Sequence, residues 1–331
     1  MSLLPWHPST WAHLFDYSKQ NRVPQALLIT GRRGLGKLEL AHEFAHSLLC
    51  QHPQDTGLQC GHCDRCLLLK AQTHPDFIQV NPEEPGKSIT VGQIRLLNNQ
   101  LTLKPQFDSS RVVIINPADQ MNNAAANAFL KCLEEPTERT TLILVTDNLS
   151  RLPATIVSRC QKLTLTHPSK PVVIEWLLQH NSSLLPQQLE TLYDLTQGSP
   201  LQALDYINKD TLALRNECYK TWLDIANQKK HPIIAAENWH KLAESPLLFW
   251  ITTWTIDLIK YAYQVNPDKL YNRDFKDSLQ PLSQKLNLKG LYDLYDLVLV
   301  SRQRISTPIN KQSLFEEILI KWHELNQSSS K

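Results

Sequence analysis

Ala26-Leu27-Leu28-Ile29-Thr30-Gly31-Arg32-Arg33-Gly34-Leu35-Gly36-Lys37-Leu38 is the stretch that decides the fold. A short apolar run passes into a glycine-rich turn, which leads at once into the apolar-periodic segment Leu38 to Leu49. An uninterrupted apolar run suits a strand covered on both faces, and the change of period beyond the glycines predicts a helix. Working outward, Phe77-Ile78-Gln79-Val80, Val112-Val113-Ile114-Ile115, Leu142-Ile143-Leu144-Val145 and Gln161 to Leu165 read as further strands. Val91 to Leu101 and Ala124 to Glu135 read as helices, the latter ended by Pro136. Strands alternating with helices predict an α/β class built on a parallel sheet with helices on both faces.

The strand signal stops at His167. Pro171–Leu178, Pro186–Thr196 and Pro200–Ile207 predict three short helices, with prolines where the first helical turn has no acceptor for their missing N–H. Leu212–Ala226, Ala235–Ala243, Leu247–Tyr263, Phe275–Leu286, Leu291–Val300 and Leu314–Leu325 predict an all-α region. The expected organisation is therefore an α/β domain over 1–167, a small helical lid over 168–208 and an all-α domain over 209–331. Trp250 and Trp254, four apart, are expected in a helix core. Val265 to Asp274 is expected to be a mobile connection, and the tail from Asn326 to fray. The chain shows no internal repeat.

Composition narrows the function. Thirty-four basic against 32 acidic residues leave a formal charge of +2, without the basic excess of an autonomous nucleic-acid binder. No run approaches the length of a membrane span, and the opening MSLLPWHPST lacks the basic-then-apolar pattern of a signal peptide. The expected compartment is the cytoplasm. Of 7 cysteines, Cys50, Cys60, Cys63 and Cys66 crowd together at x9, x2 and x2 spacing, which favours metal binding over a disulfide scaffold.

Four thiolates suit tetrahedral structural zinc and leave no open position for catalysis. The spacing also admits an iron–sulfur cluster or unligated thiols, with His52 and His62 as substitutes for one cysteine. Zinc here would pin a 50–66 insertion between the glycine-loop helix and the next strand.

Gly31, Gly34, Gly36 and Lys37 satisfy the P-loop pattern, in which backbone N–H groups and a helix N-terminus cradle phosphates. The last position should be a magnesium-binding Ser or Thr, and it is Leu38. After the Val112–Ile115 strand, Asn116-Pro117 stands where a hydrolase needs a carboxylate, and Asp119 lies farther on, expected on a helix and aimed elsewhere. Two separate losses argue against hydrolysis. They leave open a structural relic or nucleotide binding without turnover.

Ser158-Arg159-Cys160 and Ala124-Ala125-Ala126-Asn127-Ala128-Phe129-Leu130-Lys131-Cys132-Leu133-Glu134-Glu135-Pro136 complete a pattern. By spacing alone Arg159 is a solvated surface arginine. Together with the P-loop, the cysteine cluster and the helical second half, these segments resemble the delta-prime subunits of bacterial DNA polymerase III clamp loaders, an AAA+ family. The resemblance is strongest over residues 22–167 and at Gly198-Ser199-Pro200. It implies an AAA+ module with a zinc insertion, a lid and a helical collar, assembled with gamma/tau and delta subunits in a hetero-oligomeric ring. That ring loads a sliding clamp on primed DNA. The resemblance further implies a catalytically silent chain whose Arg159 meets nucleotide on a neighbouring subunit, with Ser158 orienting the turn. Thr146 matches a sensor position, and Leu201 replaces a nucleotide-sensing arginine. Two alternatives compete: an active AAA+ ATPase subunit, and a zinc-containing DNA-binding protein using Arg32, Arg33, Lys87, Lys104 and Arg111. Magnesium-dependent turnover would favour the first, and a shared basic patch the second.

Overall fold

The computed structural model describes residues 3–84, 86–107, 110–135, 137–181, 184–305 and 309–327. Pro136 and residues 328–331, on which a helix stop and part of a frayed tail were expected, lie outside the described residues. The chain divides into two compact units, residues 1–176 with 199–202, and residues 177–198 with 203–331.

In the first unit, strands β1 (Ala26–Thr30), β2 (Phe77–Val80), β3 (Arg111–Ile115), β4 (Thr140–Thr146) and β5 (Gln161–Thr164) form one sheet. Its order is β2-β3-β4-β1-β5, and every pairing is parallel. The helices are α1 (Pro8–Lys19), α2 (Lys37–Leu49), α3 (Asp64–Lys70), α4 (Val91–Leu101), α5 (Asn123–Glu134) and α6 (Ala154–Val157). The continuous apolar strands serve two cores. Leu27, Ile29, Val112, Ile114 and Ile143 pack with Trp11 and Leu14 of α1 and Leu40 and Phe44 of α2. Their alternating neighbours Leu28, Val113, Ile115, Leu142 and Leu144 pack with Ile94 and Leu97 of α4, Phe129 of α5 and Ile156 of α6. Each fully buried aliphatic or aromatic side chain contributes about 1.5–3 kcal/mol by leaving water, so the central strands hold the layers together. Local signals fix the helix starts. Thr90 and Gln93 form a reciprocal capping box before α4, and the Asn122 side chain accepts from the Ala125 N–H at 2.8 Å before α5.

The remaining helices are α7 (Lys170–His180), α8 (Pro186–Leu195), α9 (Pro200–Asn208), α10 (Thr211–Ala226), α11 (Pro232–Trp239), α12 (Glu244–Ala262), α13 (Lys276–Ser283), α14 (Leu288–Arg304) and α15 (Lys311–Gln327). The α10–α15 helices enclose a core containing Trp222, Trp250, Trp254 and Trp322, as expected for the tryptophan pair of α12. Trp222 and Trp322 stack with ring centroids 4.1 Å apart, and the Trp322 indole N–H donates to the Trp222 carbonyl at 3.0 Å.

Two expectations here need correction. The tail does not fray at Asn326: α15 continues through Gln327, and Asn326 is buried, donating to the Trp322 carbonyl at 2.8 Å. The 265–274 connection is fastened from below. Asp257, fully buried in α12, accepts the backbone N–H of Tyr271 and Asn272 at 3.0 and 2.8 Å. Arg215 of α10, also fully buried, donates to Asp274 at 2.6 Å and to Asn272 at 2.6 Å. Side chains from α10 and α12 thus satisfy a loop that composition alone marks as polar and free. Among the described residues no helix is long and apolar enough to cross a membrane.

Candidate functional site

Parallel register determines which loops meet. Thr30, at the end of β1, lies beside Thr146, at the end of β4, so the glycine loop and the turn after β4 are neighbours. Lys37 is the first residue of α2, and its side chain is 4% exposed. Its ammonium donates to the Arg32 carbonyl at 2.6 Å and pairs with Asp147 at 2.6 Å. Lys37 reaches a phosphate only by leaving that carboxylate. Leu38, where a magnesium ligand would stand, packs against the apolar core under α2.

Other parts of this unit close on the same loop. The Leu35 carbonyl accepts from the Trp6 indole N–H and from His7 Nε2, each at 2.8 Å. Burial lowers the His7 pKa, which suits the neutral ring that makes this contact. Gly36 has φ +79°, which strains any residue with a Cβ, and an added Cβ would also crowd His7 and Leu4 of the N-terminal segment at 2.9 and 2.4 Å. The Gly34 carbonyl accepts from the Leu201 N–H at 3.1 Å.

Asp119 departs from expectation. It lies in a 3-10 turn over Ala118–Gln120 and accepts from the Thr146 hydroxyl at 2.8 Å and the Asp147 N–H at 3.3 Å. Thr146 is therefore occupied in fixing the turn that delivers Asp147 to Lys37. Nothing in the linear pattern around the P-loop pointed to Asp147, Trp6 or His7. Asp147 follows from the register once strand order is known.

Arg159 lies at the other end of the sheet. It borders an open hollow of about 260 Å³ with Gln25, Ala26, Leu142 and Gln161, which sit at the beginnings of β1, β4 and β5. The P-loop leaves the opposite end of β1. Four residue steps at about 3.3 Å put the two ends roughly 13 Å apart. The Arg159 side chain is 39% exposed, and its guanidinium pairs with Glu134 at 2.8 Å and donates to the Thr155 carbonyl at 2.9 Å. The Ser158 hydroxyl donates to that same carbonyl at 3.2 Å, so both residues converge on the single turn of α6. Cys160 is buried and burial pushes its thiol up to about 11, in keeping with packing rather than reactivity.

Cys50 ends α2, Cys63 precedes α3 and Cys66 lies in the first turn of α3. All four cluster sulfurs lie within 4.8 Å of one another, with Sγ–Sγ separations of 4.0 Å (Cys50–Cys63), 3.9 Å (Cys60–Cys66) and 3.6 Å (Cys50–Cys66). A tetrahedron with metal–sulfur distances near 2.3 Å has edges of about 3.8 Å. The geometry fits a metal, and Cys60 and Cys63 backbone N–H groups point at the Cys50 and Cys60 sulfurs at 3.3 and 3.4 Å. Although burial opposes ionisation of Cys63, N–H donors led by Gln51 bring its thiol down to about 6. Backbone N–H donation lowers Cys60 as well, whereas burial raises Cys50 and Cys66 of the same cluster, as it raises Cys132 to about 11 and Cys218 to about 12. His52 and His62 are not part of this group; His62 is exposed and contacts the Cys60 carbonyl at 3.0 Å.

Arg111 cannot join the candidate basic patch, whose members Arg32, Arg33 and Lys104 are exposed. Arg111 is 5% exposed, donates to the carbonyls of Gln100, Leu103 and Lys104, and lies 3.5 Å from the buried Asp76 carboxylate. It is a structural clamp on the chain before β3, and Lys87 is paired with Glu84 at 2.9 Å.

A parallel sheet covered on both faces, a P-loop after the interior strand β1 and a large helical remainder define an AAA+-like module. A model of the family described as "DNA polymerase III, delta subunit" matches residues 6–169, and one described as "DNA polymerase III, delta subunit, C terminal" matches residues 209–324. The chain is 33% identical to DNA polymerase III subunit delta-prime of Pseudomonas aeruginosa, over 98% of each protein. It is 29% identical to the Escherichia coli delta-prime subunit, covering 97% of this chain and 95% of that one, and 27% identical to that of Bacillus subtilis, over 96% of each. The chain belongs to the delta-prime family of DNA polymerase III clamp-loader subunits.

Proposed function

We propose that this chain is a non-hydrolysing member of the clamp-loader ring, bracing the assembly and supplying Arg159 to ATP held by a neighbouring gamma or tau subunit. The observation that carries the reading is the separation of its two basic groups across the sheet. Lys37 faces inward on an intramolecular carboxylate, while Arg159 is exposed at the strand ends remote from its own P-loop. A guanidinium in that place has no phosphate to meet within its own chain.

Set against a neighbour's β- and γ-phosphates, Arg159 would offset charge that develops as the terminal phosphoryl group leaves. Trans-acting arginines of this kind contribute roughly 10³ to 10⁵ in rate, or about 4–7 kcal/mol of transition-state stabilisation. Ser158 would hold the turn from which Arg159 extends. The Cys50, Cys60, Cys63 and Cys66 thiolates would hold structural zinc, whose closed coordination stabilises the insertion and performs no chemistry. We assign 1–167 as the AAA+ module, 168–208 as its lid and 209–331 as the collar, with family matches ending at 169 and resuming at 209 in support. The partners on this reading are gamma or tau and delta subunits, with clamp and primed DNA engaged through the assembled cytoplasmic complex.

The test is ATP hydrolysis in two settings. The isolated chain should show no magnesium-dependent turnover with or without primed DNA. In a ring where only the adjacent subunit can hydrolyse ATP, Arg159→Ala should remove most single-turnover activity while assembly persists. Steady turnover near 1 s⁻¹ by the pure chain, or an unchanged rate in the variant ring, would show the proposal to be wrong.

A further inference from the structure

We infer that Glu134 is a positioning residue for Arg159, holding the guanidinium as an oriented fork at the strand ends before a neighbour's nucleotide arrives. The inference rests on the trans role of Arg159 and adds to it the group that aims the side chain. Glu134 Oε1 receives Arg159 Nη2 at 2.8 Å, and the Thr155 carbonyl receives Nη1 at 2.9 Å. These contacts come from two elements, the last turn of α5 and the first turn of α6, fixed against each other through Phe129 and Ile156 in one core. Two anchors on rigid helices define the plane of the guanidinium as well as its position.

A guanidinium carries five N–H donors, of which these contacts use two. The other three remain for oxygens approaching from the hollow beside Gln25 and Gln161. Without Glu134 the long side chain regains rotamers, and the ordering must then occur during phosphoryl transfer. The placement of Glu134 is costly on local grounds. A carboxylate in the last helical turn opposes the helix dipole, and Arg159 offsets that penalty. With Glu134 52% exposed, the pair is strong enough to orient Arg159 but too weak to withhold it from a triphosphate.

The experiment is a double-mutant cycle in the reconstituted ring, read by single-turnover hydrolysis at the adjacent site and by nucleotide affinity there. Glu134→Ala should slow hydrolysis about 1.4-fold to fivefold and leave ATP affinity unchanged, the range expected for one partly exposed ion pair. Glu134→Gln, which keeps an acceptor, should recover part of the rate. In an Arg159→Ala background, Glu134→Ala should have no further effect. An equal slowing in both backgrounds would make Glu134 structural, and a rate at or above the starting value would show that it restrains or ignores Arg159. Each of those results overturns the inference. If Arg159→Ala alone proves silent, the trans reading has failed, and this inference falls with it.

Discussion

The two ends of one sheet differ in how far their basic groups are satisfied within the chain. Where the strands finish, Lys37 is buried on Asp147, the Leu35 carbonyl is taken by Trp6 and His7, and the half-buried Leu38 packs against the core. Where the strands begin, Arg159 is exposed beside a hollow and held, among the described residues, by polar contacts to Glu134 and Thr155. The first end has the outline of a nucleotide site and is internally satisfied. The second has no recognisable cradle and keeps donors available. Retention of a motif and retention of its accessible chemistry are separate matters, and burial distinguishes them.

The largest effect that would break this contrast lies at Arg159. Its replacement by alanine should lower single-turnover hydrolysis on the adjacent subunit by about 10³-fold or more, with little change in DNA affinity. Arg159→Lys should rescue poorly, because an ammonium lacks the planar multidentate fork.

Next in size is the cysteine cluster, which tests whether the insertion depends on a metal. Elemental analysis should find about one zinc per chain. Cys63→Ser should release it and raise hydrogen exchange over 51–70, while the sheet stays protected. Exchange in the 54–58 stretch should rise least, since Trp11 donates to the Thr56 carbonyl at 2.9 Å independently of the thiols.

A smaller effect concerns stability against pH. Burial, assisted by the nearby His42, lowers His46 to about 4, whereas the unfolded ring titrates near 6.5. Between those values the unfolded chain binds the extra proton, so His46 supplies stability above pH 6.5 that is lost as pH falls towards 4. His46→Gln should reduce the slope of unfolding free energy against pH in that window by up to one proton, measured by denaturant titration at several pH values. The smallest effect belongs to Lys37. Lys37→Ala should alter turnover of the assembled ring by less than about twofold, and a loss comparable to that at Arg159 would erase the distinction between the two ends.

Much of this was legible in order along the chain. Continuous β-branched runs marked the central strands, and the cysteine spacing marked a cluster whose sulfurs do converge. Leu38 and Asn116 stand out in sequence because each motif assigns chemistry to a fixed position, and neither carries the residue type that the position calls for. What could not be read were pairings across strand order. Asp147 meets Lys37 only because β4 lies beside β1, and Arg111 is swallowed only because Asp76 and the 100–104 carbonyls surround its fork. A charged residue shows its valence in sequence but not its partner. The same holds for the 265–274 segment, anchored by Arg215 of the distant α10 and by Asp257 of α12, the helix that leads into it.

The bond from the Trp322 indole to the Trp222 carbonyl also sets a schedule for synthesis. It joins residues 100 positions apart, so the helical unit cannot close its central tryptophan stack until α15 has left the ribosome. At about 5–20 residues per second, the chain between these partners takes roughly 5–20 s to make. Throughout that interval the apolar faces of α10 and α12 stand without their final cover, and the growing chain depends on other packing, or on a chaperone, to keep them from wrong partners. The sheet unit has received β5 well before then, so the arginine-bearing end of the molecule is complete while the helical unit is still waiting for its last helix.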